Sequence, residues 1–494
     1  MESLLTKPDE RPGEWLLVGV VSTAIAAGIV LAVSFGLGPG IAAAVSILAW
    51  LYFSARDIML GLAIFLVARS SLDLTTDFRL PLPGALSYLN PAGLIAVLFS
   101  VVAVGYLWRN RCSIRLVGAS CLFTFFLALT FLAVPISGFP VTSFQEWVRV
   151  FSPFCAFLII AIYIRSLPAN AVVKSISTGV VIVILSSITP LALGLYQVLT
   201  DAGQHHNAEF NRVYGTFPLP NGLAAYIVLI VPILFCALDI WKDLPRRLLL
   251  IACIAIAIIV LISTYTRTAW IALAVSFLML LVTSRRIRPG SLILVLSLVV
   301  AGWLLAWPTI SARFSDLSGP EASRSSLVGR MYIWDAAVPV FFRNPLVGQG
   351  LGMFAMTIGA VGAQNIPGQA SASAIAAHND YLRILVETGI IGFILYFGTL
   401  ILLFKSAWQL WRCSDDPVAS AIGRAFVAVC AGQLAAYAAD NLFGMPALQF
   451  YFWSLAGIVT GLAQRNTSLA NNASGRTQAT ASASVQASLP DSAR

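Results

Sequence analysis

The chain has 494 residues, 59% of them apolar and only 10% charged, with a mean hydropathy of +0.88 and a formal net charge of +9. A soluble domain carries about 25% charged residues, so a soluble globular fold is excluded. A β-barrel is excluded too, because the apolar runs are continuous rather than alternating.

Many apolar runs of about 17–22 residues, separated by short polar breaks, define an all-α polytopic membrane protein. The positive charge calls for no nucleic-acid partner, since basic residues on cytoplasmic loops account for it. The start, residues 1–14, is polar with mixed charge, and no cleavable signal is expected there. The first apolar run, Trp15–Phe35, reads as an uncleaved anchor. About fourteen spans are expected, near 15–35, 38–54, 57–69, 91–108, 116–136, 149–164, 176–198, 222–240, 248–264, 268–283, 291–310, 388–404, 424–440 and 447–463. The second and third are short enough to form a re-entrant pair. Spans 1–11 with their short loops thus fill 15–310, one large periplasmic loop fills 311–387, and spans 12–14 fill 388–463. The Ser-, Ala-, Thr- and Asn-rich tail, 464–494, is expected to be disordered.

The basic clusters set the orientation. Arg109, Arg111 and Arg115, then Lys242, Arg246 and Arg247, then Arg285, Arg286 and Arg288 all fall on one side if both termini are cytoplasmic, as the positive-inside rule requires. None of the seven cysteines then lies in an outer loop, and no Cys-x-x-Cys pair occurs, so neither a disulfide framework nor a zinc ribbon is expected.

The outer segments hold the chemistry. Residues 199–221 contain His205-His206 and then Arg212, Tyr214, Gly215, Phe217, Pro220 and Asn221. With Asp201 and Glu209 the paired histidines could bind a metal, but adjacent histidines rarely converge on one ion, and a solvated loop is the plainer reading. Thr266-Arg267-Thr268 forms a tight turn between two apolar helices, where an idle charge is costly. Snorkelling to the interface is its bland alternative. The large loop offers an amphipathic helix around Met331, Ile333, Trp334, Val338, Phe341 and Phe342, and then the turn-rich stretch Asn344–Gly352. No strand precedes Gly348-x-Gly350-x-Gly352, so close backbone packing is a better reading than a dinucleotide loop. No Gly-Lys-Ser/Thr phosphate loop and no His-Glu-x-x-His occurs.

The loop closes on His378, one of only three histidines. Asn379 or Asp380 can cap a helix on which Leu382, Leu385 and Val386 recur at helical spacing. A helix start attracts anions, and His378 stands there with Arg383 one turn on. A loop-satisfying histidine is the plain alternative. Histidine is also the side chain that takes a proton near neutral pH. Arg212, Arg267 and Arg330 offer fork-like donors for phosphate. Asn379, Asp380, Tyr381 and Arg383 can shape the substrate site, although helix capping alone explains Asn379 and Asp380.

The pattern His378-Asn379-x-x-Leu382 with Gly389 resembles the signature of the bacterial O-antigen ligase and polymerase superfamily. Arg212-x-x-Gly215-x-Phe217 with Pro220-Asn221, the turn Thr266-Arg267-Thr268-Ala269-Trp270, Gly329-Arg330 with Trp334, and Asn344-Pro345 with Gly348-x-Gly350 are similar to further family segments in the expected order. Ile271 stands where ligases tend to have Leu. The resemblance covers about residues 210–400. It implies a glycosyltransferase of the bacterial inner membrane that needs no metal or other cofactor and acts at the periplasmic face. The donor would be a glycan on undecaprenyl diphosphate. His378 would orient or deprotonate the acceptor, and Arg212, Arg267 and Arg330 would neutralise the diphosphate. Lipid A–core, a growing polysaccharide and a protein hydroxyl all remain open as acceptors. A transporter is the competing class; few ionisable residues mid-span and no paired broken helices speak against it.

Overall fold

The computed structural model describes residues 39–75, 91–201, 205–207, 210–284, 326–360 and 376–487. The helices among them are α1 (Pro39–Arg56), α2 (Ile58–Leu72), α3 (Pro91–Arg109), α4 (Ala119–Ala133), α5 (Pro140–Ser166), α6 (Ala169–Thr200), α7 (Pro220–Ile240), α8 (Leu244–Ser263) and α9 (Arg267–Val282). They continue with α10 (Ser326–Arg343), α11 (Phe354–Ala360), α12 (Asp380–Cys413), α13 (Pro417–Tyr437) and α14 (Pro446–Ala487). One antiparallel hairpin, β1 (His205–Asn207) with β2 (Phe210–Arg212), sets His205 opposite Arg212 and His206 opposite Asn211. Among the described residues, seven helices, including α5, α6, α7, α8, α12 and α13, are long and apolar enough to cross a membrane, and α2, α4 and α9 are shorter apolar helices.

Local chemistry explains the helix starts. Proline stands in the first turn of α5, α7, α8 and α13, where its fixed φ helps and its missing N–H is not needed. Asp243 and Asp416 cap α8 and α13 by accepting the backbone N–H of Arg246 and Val418. α7 and α13 run through the middle of the bundle with most of their length buried, whereas α8 buries one face. α14 lies on α5. A Cβ at Gly457 would stand 2.7 Å from the Phe157 carbonyl oxygen, and one at Gly461 would stand 2.8 Å from Ile164 Cβ. This small-x-x-x-small stripe lets two backbones approach where lipid gives no hydrophobic drive to pack helices. Phe123, Phe154, Phe157 and Trp453 fill the seam beside it, with the Phe123 and Trp453 rings 4.2 Å apart.

Twelve of the expected spans fall on described residues and each overlies a helix; those at 15–35 and 291–310 lie outside them. α5 begins at Pro140 rather than near 149, because Glu146, which ended the apolar window, is partnered by Arg383. The loop 311–387 is largely helical where described, holding α10, α11 and the first turns of α12; its stretches 311–325 and 361–375 lie outside the described residues. The tail expected to be disordered from 464 is helical as far as Ala487, in a stretch where alanine, the best helix former, recurs. On α10 the inward residues are Ile333, Ala337 and Val340, while Met331, Val338 and Phe342 face outward. The α8–α9 and α13–α14 turns, the start of α7 and the start of α12 gather at one end of the bundle, as the hydrogen bonds below show.

Candidate active site

The site is built where the start of α12 meets the α13–α14 turn. The Trp334 indole on α10 donates to the Ala377 carbonyl at 2.8 Å and so fixes the chain before His378. The His378 backbone N–H donates to Asn441 Oδ1 at 2.8 Å, and its Nδ1 lies 3.4 Å from Asn441 Nδ2. Asn379 is the helix cap and accepts the Leu382 N–H at 3.1 Å. Asp380, also expected as a cap, serves the turn instead: its Oδ2 accepts the N–H groups of Leu442 and Phe443 at 2.5 and 2.8 Å. His378 itself has φ 46°, a left-handed conformation held from both sides by these bonds.

The three arginines arrive from separate elements. Arg212, at the end of β2, donates from Nε to the Thr264 carbonyl at 2.9 Å and from Nη2 to Asn221 Oδ1 at 2.9 Å and Thr266 Oγ1 at 3.1 Å. The N–H of Val213 donates to the Ser263 carbonyl, so the strand is docked on the α8–α9 turn. Arg267 is the first residue of α9, directly after that turn. Arg330, on α10, donates from Nη1 to the Ala439 carbonyl at 3.0 Å. Asn221 Nδ2 donates to Asp440 Oδ1 at 3.4 Å, which links the arginine side to the α13–α14 turn.

Electrostatics follow from this crowding. Burial, and then the Arg330 guanidinium, push the His378 imidazole down to about 4. Burial lowers Arg330 too, with Asp440 opposing and Arg267 adding to the shift. Burial raises the Asp440 carboxyl, which hydrogen bonds from Asn441 and Asn221 and the charges of Arg330 and Arg212 resist. His378 is therefore neutral at neutral pH and free to accept a proton. Because its folded value lies below its ordinary one, the unfolded chain takes up the proton first as pH falls. Stability associated with His378 is therefore lost between about pH 6.5 and about 4. The expected result is a melting temperature that falls across that window, with a smaller fall in His378→Asn, read by thermal unfolding at fixed ionic strength.

Other expected site residues have structural partners. Arg383 pairs with Glu387 at 3.2 Å and Glu146 at 3.5 Å, and its guanidinium lies over the Phe443 ring. The Tyr381 hydroxyl donates to the Leu434 carbonyl and its ring stacks on Phe397. Gly348 and Gly389 interlock: a Cβ on the first would stand 2.4 Å from the Glu387 carbonyl, and one on the second 2.3 Å from the Leu346 carbonyl. The side chains of His205 and His206 lie outside the description. Among the described residues no three His, Cys, Asp or Glu side chains group as metal ligands.

Asp440 and Asn441 also stand beside these residues and were not singled out by the sequence. The usable signal was Asp440, an acid at the end of an apolar span, where an unpaired charge is costly.

Three arginines and an imidazole thus gather at one end of a bundle of apolar helices in an all-α membrane protein. Residues 252–397, which include Arg267, Arg330 and His378, match the model of the O-antigen ligase family. The match supports the resemblance to the O-antigen ligase superfamily, whose members are ligase- and polymerase-type membrane glycosyltransferases. No curated protein matches the chain.

Proposed function

We propose that this protein moves a glycan from undecaprenyl diphosphate to an acceptor hydroxyl at the periplasmic face of the bacterial inner membrane. The observation that carries the reading is the convergence of Arg212, Arg267, Arg330 and His378 from β2, α9, α10 and the start of α12. The acceptor oxygen attacks the anomeric carbon and its proton passes to His378. The bond from that carbon to the diphosphate oxygen breaks, and the electron pair leaves with the lipid diphosphate. The arginines stabilise the charge that develops there, the role a metal ion fills elsewhere. Attack opposite the leaving group inverts the anomeric carbon. Lipid A–core and a growing polysaccharide are the acceptors that fit a ligase and a polymerase; Asn379 sets the helix start beside them.

The test is turnover of lipid-linked glycan by purified protein in detergent, where transport has no meaning. Release of undecaprenyl diphosphate in step with glycan transfer is expected, and Arg330→Ala and Arg267→Ala should each lower kcat by about 10²–10³-fold. No release by the wild-type protein with either acceptor class overturns the reading.

A further inference from the structure

α10 presents an apolar face that no described residue covers. Phe342 is 69% exposed and Leu346, just past the helix, is 61% exposed, with Met331, Val338 and Val347 exposed beside them. A water-facing surface rarely gathers so many large apolar side chains. What adjoins this face is specific. The Ile390 N–H donates to the Pro345 carbonyl at 2.8 Å, and the Ile391 N–H donates to the Leu346 carbonyl at 3.2 Å. These bonds dock the turn after α10 at the place where α12 changes character. Before that place α12 carries Asp380, Arg383 and Glu387, whereas residues 388–404 include no charged side chain. α12 is long and apolar enough to cross a membrane. Past Gly389 it exposes Ile390, Ile391, Ile394 and Ile401, with Ile394 62% exposed. One exposed apolar surface therefore runs from the flank of a membrane-crossing helix onto Leu346, Val347 and Phe342.

We propose that the second half of α10 and the turn after it, residues 338–347, lie in the bilayer surface, with Val338, Phe342, Leu346 and Val347 inserted at the head-group boundary. The lipid that meets the isoleucines of α12 continues onto these side chains without a break. An interfacial helix of this kind buries its apolar face by about 5–10 Å. Arg343, exposed at the end of α10, suits that depth, because its apolar stem follows the acyl chains while the guanidinium stays among lipid phosphates. Asp335, exposed one turn before Val338, marks where the helix rises toward water, since a carboxylate is costly in hydrocarbon. The consequence reaches the site. α10 also carries Arg330, bonded to the Ala439 carbonyl, and Trp334, bonded to the Ala377 carbonyl just before His378. Seating the far end of α10 in the bilayer surface fixes the height of both above the lipid. This placement follows from the fold and the exposed surface, and it holds whichever reaction the site performs.

The experiment reads nitroxide labels on the purified full chain in nanodiscs of phosphatidylethanolamine and phosphatidylglycerol. Cys112 and Cys413, the exposed native thiols, are replaced by serine, and the signal of that labelled background is subtracted. Phe342→Cys, Leu346→Cys and Met331→Cys are then labelled one at a time. Ile394→Cys, on the exposed flank of α12, is the lipid-facing reference, and Asp415→Cys, in the exposed α12–α13 turn, is the water-facing one. Relaxation by oxygen, which concentrates among acyl chains, is compared with relaxation by a nickel chelate, which stays in water. Phe342→Cys and Leu346→Cys should give an oxygen-to-nickel ratio close to that of Ile394→Cys. Met331→Cys, one turn before Asp335, should give a lower ratio than either. Ratios at Phe342→Cys and Leu346→Cys close to that of Asp415→Cys mean a face turned to water and overturn the proposal. Labels at both positions reached by neither reagent mean a face covered by protein, such as a second copy of the chain, and overturn it equally. A ratio at Met331→Cys above that at Phe342→Cys puts the wrong end of α10 in the lipid and overturns it too.

Discussion

Replacing His378 with asparagine is expected to lower kcat by about 10²–10⁴-fold, the usual contribution of a positioned acid or base, while leaving the melting temperature at pH 8 nearly unchanged. The choice of asparagine follows from the backbone. At φ 46° an alanine would sit in left-handed space at a cost of about 1–2 kcal/mol. Asparagine tolerates that conformation, and its N–H can still donate to Asn441 Oδ1 as that of His378 does. The substitution therefore removes the imidazole and little else. The imidazole is suited to the task because burial and Arg330 keep it unprotonated at neutral pH. Initial rates at saturating donor, with thermal unfolding beside them, separate the two effects. A variant that keeps kcat within about threefold would remove His378 from the chemistry. In the native host, single repeats would accumulate if the acceptor is a growing polysaccharide. Full-length chains would be stranded on the lipid carrier if it is lipid A–core.

The four side chains that meet in the site were readable one at a time in the sequence because each is anomalous where it stands. Arg267 sits between two apolar helices, Arg212 and Arg330 lie in polar segments between apolar runs, and His378 closes the longest polar stretch. The partners that place them were not readable, because they act across the fold. Asn441 holds His378 from 63 residues away, and Asp380 grips Leu442 and Phe443 over a similar distance. Arg383, expected to help shape the substrate site, pairs with Glu387 one turn on and with Glu146 from α5, partners that no local pattern announces. Tyr381 is similar: its hydroxyl is satisfied by the Leu434 carbonyl of α13. On α10, apolar residues occupy both the inward and the outward face, so periodicity marked a helix without choosing which side packs.

Substituting Gly389 with alanine is expected to cost about 4 kcal/mol or more of stability, a large part of the roughly 5–15 kcal/mol that holds a typical fold. Two independent terms add. Its φ of 64° and ψ of −174° belong to a region that only glycine enters readily, worth about 1–3 kcal/mol. A Cβ there would also stand 2.3 Å from the carbonyl carbon and oxygen of Leu346, and backbone cannot turn aside as a side chain can. The loop must then separate from α12. That puts at risk the hydrogen bonds of Gln349 to Val386, Gly350 to Glu387, Ile390 to Pro345 and Ile391 to Leu346, each worth about 1 kcal/mol net. Gly348→Ala should behave alike, since its Cβ would meet the Glu387 carbonyl at 2.4 Å. Gly105→Ala, with nothing within 4 Å of its Cβ, is the control and should be neutral or slightly stabilising. Monodisperse yield and melting temperature in detergent read the difference, and a Gly389→Ala protein that melts like the wild type would refute the interlock. The two glycines belong to separate sequence motifs, one before Arg383 by more than thirty residues and one just after it, yet a side chain on either would run into the backbone next to the other. Their contact breaks α12 at Gly389 and turns its first stretch, from Asp380, toward the α13–α14 turn. A glycine eleven residues from His378 thereby sets the angle at which the histidine is presented, which is a physical reason for the two to occur in one motif.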